Sequence, residues 1–167
     1  MKYIQTNLIT ALSIAIVLSA GCASTSQNVA MLEQTTPQTF TLPVNYIDAY
    51  ANAKAYYQQC VAKSGISYPV TVYTNGTPVT VTNRTPDTTI SVKLDRLNKS
   101  ASLNVHLGSS IDQRVLFSEA DEETTNVSFY AKKMGVLRSS AHRQKVQDEQ
   151  VALLKQVSVN KMIECIK

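Results

Sequence analysis

Apolar and polar positions along the chain fall into two periods, and each predicts a different element. Over residues 46–63 the positions Tyr46, Ala49, Tyr50, Ala53, Tyr57, Cys60 and Val61 follow the i, i+3, i+4, i+7 spacing of one helix face. Asn45 stands where an N-cap would, with Asp48 three residues on, and Ser64-Gly65 supplies a stop. After that the period drops to two. Val70 and Val72 alternate with Thr71 and Tyr73, then Asn75-Gly76 precedes Pro78, Val79, Thr80 and Val81. An Asn-Gly pair between alternating runs predicts a tight hairpin, in which Thr74 faces Thr77, Val72 faces Val79 and Val70 faces Val81. Pro69 and Pro78 place that hairpin at a sheet edge.

The alternation continues after Thr85-Pro86-Asp87. Ile90, Val92 and Leu94 share one face, and a turn near Asn98-Lys99 leads to Ala101, Leu103, Val105 and Leu107. Two more strands are expected over residues 111–118 and 124–131, joined by the acidic turn 119–123. Phe40 and Leu42 suggest a short extended stretch before the first helix. From about residue 140 to 167 the spacing returns to helical, with Val146, Leu153 or Leu154, Val157 and the group Met162, Ile163, Ile166, and a kink near residues 158–160. The fold class is therefore α+β: about six antiparallel strands packed against an N-terminal and a C-terminal helix. With 167 residues and no internal repeat, one domain covers residues 40–167.

The N-terminus is organised differently. Lys2 precedes an apolar run at residues 8–20, broken only by Thr10, Ser13 and Ser19, and then comes Leu18-Ser19-Ala20-Gly21-Cys22. A basic start, a short apolar core and small residues at its end make a signal peptide over residues 1–21. The run is too short for a membrane span, which needs about 20 apolar residues. The junction resembles the lipobox of bacterial lipoproteins at every position. That resemblance implies cleavage before Cys22, a diacylglyceryl group on its sulfur and an acylated new N-terminus. It also implies a place on the periplasmic side of a membrane, the outer one being favoured because Ala23 rather than Asp follows the cysteine. The partner so implied is the membrane itself, through the lipid, and possible further partners are an envelope protein or peptidoglycan. The first helix, with Tyr46, Tyr50 and Cys60, resembles small uncharacterised proteobacterial lipoproteins, a likeness that assigns no role to any residue. Residues 22–39 then read as the lipidated Cys22 and a flexible tether rich in Ser, Thr and Gln. Within it, Val29 to Leu32 form an apolar island that either docks on the domain or stays disordered with the rest, the second being the plainer reading.

Export changes how the other two cysteines are read. With Cys22 occupied by lipid, Cys60 and Cys165 are an even pair in an oxidising compartment, most simply a disulfide that ties the two helices together. Free thiols are the alternative, and neither cysteine has zinc-like spacing or a neighbouring base.

Composition narrows the function. A net charge of +4 is too mild for a nucleic-acid-binding face. No nucleophile elbow, zinc-protease helix, phosphate loop or dinucleotide fingerprint is present, so no catalytic residue, metal site or cofactor is assigned. His106 should lie on the polar face of a strand and His142 at a helix start, both as surface residues. Glu119, Asp121, Glu122 and Glu123 could in principle share a cation, but they lack the spacing of a calcium loop and read as a solvated turn. The tyrosines of the first helix could stack on sugars, although Tyr46, Tyr50 and Tyr57 lie on its apolar stripe.

One feature resists a purely structural account. Lys132, Lys133, Arg138, Arg143 and Lys145, with His142, occupy a stretch without an acid. Two of these cations fall in the first turns of the last helix, where they oppose its dipole. They are candidates for an anionic partner such as a lipid phosphate or a glycan carboxylate. Three functions remain: a non-catalytic envelope lipoprotein binding a protein or wall partner, a small-molecule or lipid-binding module, and an unrecognised hydrolase built on His106 or His142.

Overall fold

A computed structural model describes residues 29–132, 140–160 and 164–165. The signal peptide expected over residues 1–21 and Cys22 lie outside the described residues, as do Lys133, Arg138, Met162, Ile163 and Ile166. The elements in chain order are β1 (Gln38–Leu42), α1 (Tyr46–Tyr56), a π-helical turn (Tyr57–Val61), β2 (Ser67–Thr74), β3 (Thr77–Arg84), β4 (Thr88–Asp95), β5 (Ser100–Leu107), β6 (Ser110–Glu119), β7 (Thr125–Ala131) and α2 (Ser140–Val159). The α+β expectation holds. Five antiparallel strands form the main sheet in the order β1-β7-β6-β5-β4, and β2 and β3 form a separate two-stranded sheet.

One face of the main sheet meets the helices. Leu103, Val115, Phe117, Val127 and Phe129, alternate residues of β5, β6 and β7, are sealed beneath Ala49, Tyr50, Ala53, Tyr56 and Tyr57 of α1 and its π turn and Val151, Leu154 and Val157 of α2. Tyr50 meets Phe117 edge-on with ring centroids 6.2 Å apart, the arrangement ring quadrupoles favour. The tyrosines of α1 are core residues, and burial pushes the phenol of Tyr57 well above its ordinary range. Asn52 Nδ2 donates to the Ser158 carbonyl at 3.1 Å, joining α1 to the end of α2.

Helix α1 starts as expected: Asn45 Oδ1 accepts the Asp48 N–H at 3.0 Å. It ends differently. The last turn widens to π, with the Ala62 N–H reaching back to the Tyr57 carbonyl at 2.9 Å. The wider turn sets Tyr56 and Tyr57 side by side in the core. The helix stops at Val61 rather than Lys63 because Lys63 is drawn into paired hydrogen bonds with Thr88, at 3.0 and 2.8 Å. Gly65 is therefore no helix cap. Its role is close approach, since a side chain there would overlap the Thr85 carbonyl.

The far helix is also shorter than the spacing suggests. It ends at Val159, where the Asn160 side chain bonds the Gln156 carbonyl at 3.1 Å, and Cys165 lies beyond it outside helix. Cys60 and Cys165 form a disulfide with Cα atoms 5.3 Å apart. The bridge fastens the π turn to the C-terminal segment.

Two further expectations change. The hairpin has the register that Asn75-Gly76 dictates, with both turn residues at positive φ, but it pairs with no strand of the main sheet. Residues 29–39 are not a featureless tether. Residues 29–33 make a helical turn, Leu32 is 4% exposed, and β1 already begins at Gln38. Among the described residues no helix is long and apolar enough to cross a membrane.

Candidate functional site

The second face of the main sheet is free of the two long helices, and the residues of interest gather there. A β-bulge decides which ones. Val105 pairs with Gln113 but His106 pairs with Ile111, so Asp112 is an extra residue in β6. By parity with Val115 and Phe117, Ile111 would point toward the helices. The bulge turns it onto the opposite face beside His106, and there it is 4% exposed.

The cover comes from the N-terminal turn. Met31, Leu32, Gln34 and Thr35 join Ser110, Ile111 and Lys132 around a half-enclosed pocket of about 450 Å³. That volume lies in the range of small-molecule sites. Met31, Leu32 and Ile111 make much of the wall apolar. The Thr35 hydroxyl is already used, donating to the Leu32 carbonyl at 2.7 Å, and Ser110 donates to the Leu107 carbonyl at 3.2 Å. Among the described residues lining the pocket, Lys132 is the charged one. Its place is fixed by its backbone, whose N–H donates to the Asp112 carbonyl at 2.8 Å, so the bulge residue also positions the cation.

Next to this pocket runs a polar network across β4, β5 and β6. Glu33 Oε1 lies 2.9 Å from Arg114 Nε, Arg114 Nη1 donates to Asn104 Oδ1 at 2.9 Å, and Asn104 Nδ2 donates to Ser91 Oγ at 3.2 Å. The Glu33 contact is off the N–H direction of the buried Nε, so it compensates charge without making a hydrogen bond there. This ion pair and Leu32 together hold the N-terminal turn to the sheet. Ser91 Oγ is 2.7 Å from His106 Nε2. A serine–histidine contact is the first half of a nucleophilic dyad, which needs a third group to orient the imidazole. Among the described residues no carboxylate bonds the other ring nitrogen of His106. A second half-open hollow of about 320 Å³, lined by Lys93, Asp95, Ser102, Arg114, Ser118 and Ser128 among others, lies on the same face.

Of the basic stretch, the described side chains Lys132 and Lys145 line different hollows. Lys132 lines the pocket under the N-terminal turn, whereas Lys145 lies on α2 in a surface hollow with Asp148 and Glu149, at 4.0 Å from the Glu149 carboxylate. A mixed-sign surface is a poor anion site. Arg143 belongs to the start of α2, and its side chain, with Lys133 and Arg138, lies outside the described residues. His142 is exposed on the first turn of α2.

The acidic turn has local work. Glu119 pairs with Lys99. The Thr124 hydroxyl and the Glu123 N–H hold the Asp121 carboxyl below its ordinary value, and the Glu123 N–H donates to Asp121 Oδ1 at 2.9 Å. These acids stabilise the β6–β7 turn, and among the described residues no group of acids, histidines and cysteines could hold a metal ion.

The pocket itself was not visible in the pattern. Its components, Leu32, Ile111 and Lys132, come from an apolar island, a bulged strand and a strand end, and only the bulge brings them together.

No protein-family model and no curated protein matches the chain. Two solved structures are similar to it: the crystal structure of Ara h 8.0201, at 12% identity over 73% of this chain and 93% of that one with a TM-score of 0.36, and a START superfamily protein from Mycobacterium smegmatis, at 12% identity over 72% and 94% with a TM-score of 0.34.

Proposed function

We propose that this chain is a lipid-anchored envelope protein, held through Cys22 on the periplasmic side of the outer membrane. Its folded part takes up a small apolar molecule bearing an anionic group. The single observation behind the ligand reading is the pocket of Met31, Leu32, Ile111 and Lys132, with a largely apolar wall and one cation among the described residues, while the anchored reading rests on the Leu18–Cys22 junction. Apolar burial supplies the affinity in such sites and a few placed polar groups supply the orientation. Non-catalytic binding is part of this proposal: Ser91 and His106 touch, yet among the described residues no carboxylate bonds the imidazole.

Anilinonaphthalene sulfonate, an aromatic body with one sulfonate, is a suitable probe. Saturable binding of one probe per chain is expected, weakened by Lys132→Ala and by Met31→Glu. Met31 is 69% exposed, so its replacement should leave the fold intact. Failure of both substitutions to alter the titration would dispose of the pocket as the site.

A second reading, a protein or cell-wall partner, draws support from the open polar face around Lys93, Asp95 and Arg114. Crosslinking in intact envelopes would recover that partner, and Arg114→Ala would abolish the crosslink if this face makes the contact.

A further inference from the structure

The β2–β3 hairpin leaves the domain from the same end at which the described chain begins. Thr88 starts β4, Leu107 ends β5 and Ser110 starts β6, so these strand ends lie together. The Gly108 N–H donates to the Asp87 carbonyl at 2.8 Å, which ties the base of the hairpin to that end, and Ser110 lines the pocket with Leu32 and Lys132. The base is well fastened. Besides the Lys63–Thr88 pair, the Thr85 N–H donates to the Ile66 carbonyl at 3.0 Å, the Gly65 N–H to Asp87 Oδ1 at 2.6 Å, and Arg84 Nη2 lies 3.0 Å from the same carboxylate oxygen.

Beyond this base every hairpin residue except half-buried Val70 is exposed. Residues 67–83 contain no charged side chain. The register puts Tyr68, Val70, Val72, Val79 and Val81 on one face and Pro69, Thr71, Tyr73, Pro78, Thr80 and Thr82 on the other. A two-residue loop makes Thr74–Thr77 a hydrogen-bonded pair, so Pro69 and Pro78 fall at positions whose nitrogens point to the free edges. The prolines therefore break no ladder bond.

We propose that the valine face of this arm lies on the surface of a lipid bilayer. The inference rests on the anchored reading of Cys22. Six residues lie between Cys22 and Val29, so the seven Cα–Cα steps reach at most about 25 Å, and eight-residue strands extend about 26 Å. An acyl chain on Cys22 would thus hold this end of the domain within one arm's length of lipid. An uncharged face of Val and Tyr suits the interfacial zone, where tyrosine is at home. The unpaired outward N–H groups of Thr71, Tyr73, Thr80 and Thr82 keep the arm in the headgroup layer and out of the hydrocarbon. A second copy of the chain is a poorer occupant: a two-stranded face of about 26 by 10 Å falls well short of the roughly 800 Å² per partner of a stable interface.

The test uses the mature chain with Cys22→Ser, which removes the anchor, and vesicles of phosphatidylethanolamine and phosphatidylglycerol at 3:1. Sedimentation should show binding that Val72→Glu with Val79→Glu weakens by roughly tenfold or more, with the melting temperature unchanged. Equal binding by both proteins, or none by either, overturns the arm proposal. So does a dimer in sedimentation equilibrium that the glutamates dissolve. Palmitate labelling of the unmodified chain in cells is read separately: absence of label at Cys22 removes the anchor, whatever the vesicles report.

Discussion

The main sheet and the β2–β3 arm are written in the same alternation of apolar and polar residues, and they end in opposite surroundings. In β5 each alternate residue from Ala101 to Val105 is buried beneath helices. In β3 Val79 and Val81 are 43% exposed, with only the partner strand beside them. Alternation therefore reports that a strand has two unlike faces and says nothing about what covers them. A two-stranded hairpin is marginal by itself in water. This one persists because a type I′-compatible turn and a hydrogen-bonded base hold its two ends.

The contrast can be broken most strongly from the core side. Phe117→Ala removes a fully buried ring and should cost about 3–5 kcal/mol, read as a fall in the urea midpoint. Val72→Ala on the arm should stay within about 0.5 kcal/mol in the same measurement. An arm substitution as costly as the core one would mean that the hairpin is packed in solution.

Breaking the bridge comes next. Cys60→Ser opens a loop spanning a sequence separation of 105 and should cost about 2–5 kcal/mol. The loss should be reproduced by a reducing agent on the unsubstituted chain and absent when the reductant is added to the variant. Gly65→Ala is a smaller and more local change. The new methyl must push the Thr85 carbonyl aside, at about 1–2 kcal/mol, and amides of Ile66 and Thr85 should exchange faster while those of Leu103 and Val115 hold.

The mildest effect is acidic. The Gly65 N–H, then Arg84, hold the exposed Asp87 carboxyl below its ordinary 3.8. The unfolded base of the arm therefore takes up a proton first. The contribution is complete above about pH 4 and fades as pH falls through the lowered value. Amide exchange at Gly65 should quicken over that window, and in Asp87→Asn it should be fast at neutral pH already.

Much of the fold was legible because its determinants are local. The spacing from Tyr46 onward, the Asn45 cap and the Asn75-Gly76 turn each involve residues within a few positions of one another. What escaped was set at a distance. The stop of the first helix at Val61 follows from Lys63 pairing with Thr88, far along the chain. The freedom of the hairpin from the main sheet could not be told from its prolines, which are equally content on an edge strand and on a detached arm. The candidate pocket depends on a single extra residue, Asp112, and on an ion pair between Glu33 and Arg114. Nothing in the alternation of β6 marks that bulge. The contact between Ser91 and His106 is likewise a diagonal across two strands, visible only once their register is known.

The pairing of β1 with β7 sets a schedule. Gln38 lies opposite Phe129, so the earliest strand gains its only neighbour in the sheet when the last has emerged. At about 5–20 residues per second of synthesis, the intervening segment keeps that first strand waiting for roughly 5–18 seconds. A chain in transit through a narrow passage would keep this edge of the sheet open until β7 had arrived, while the neighbouring hairpins could already close.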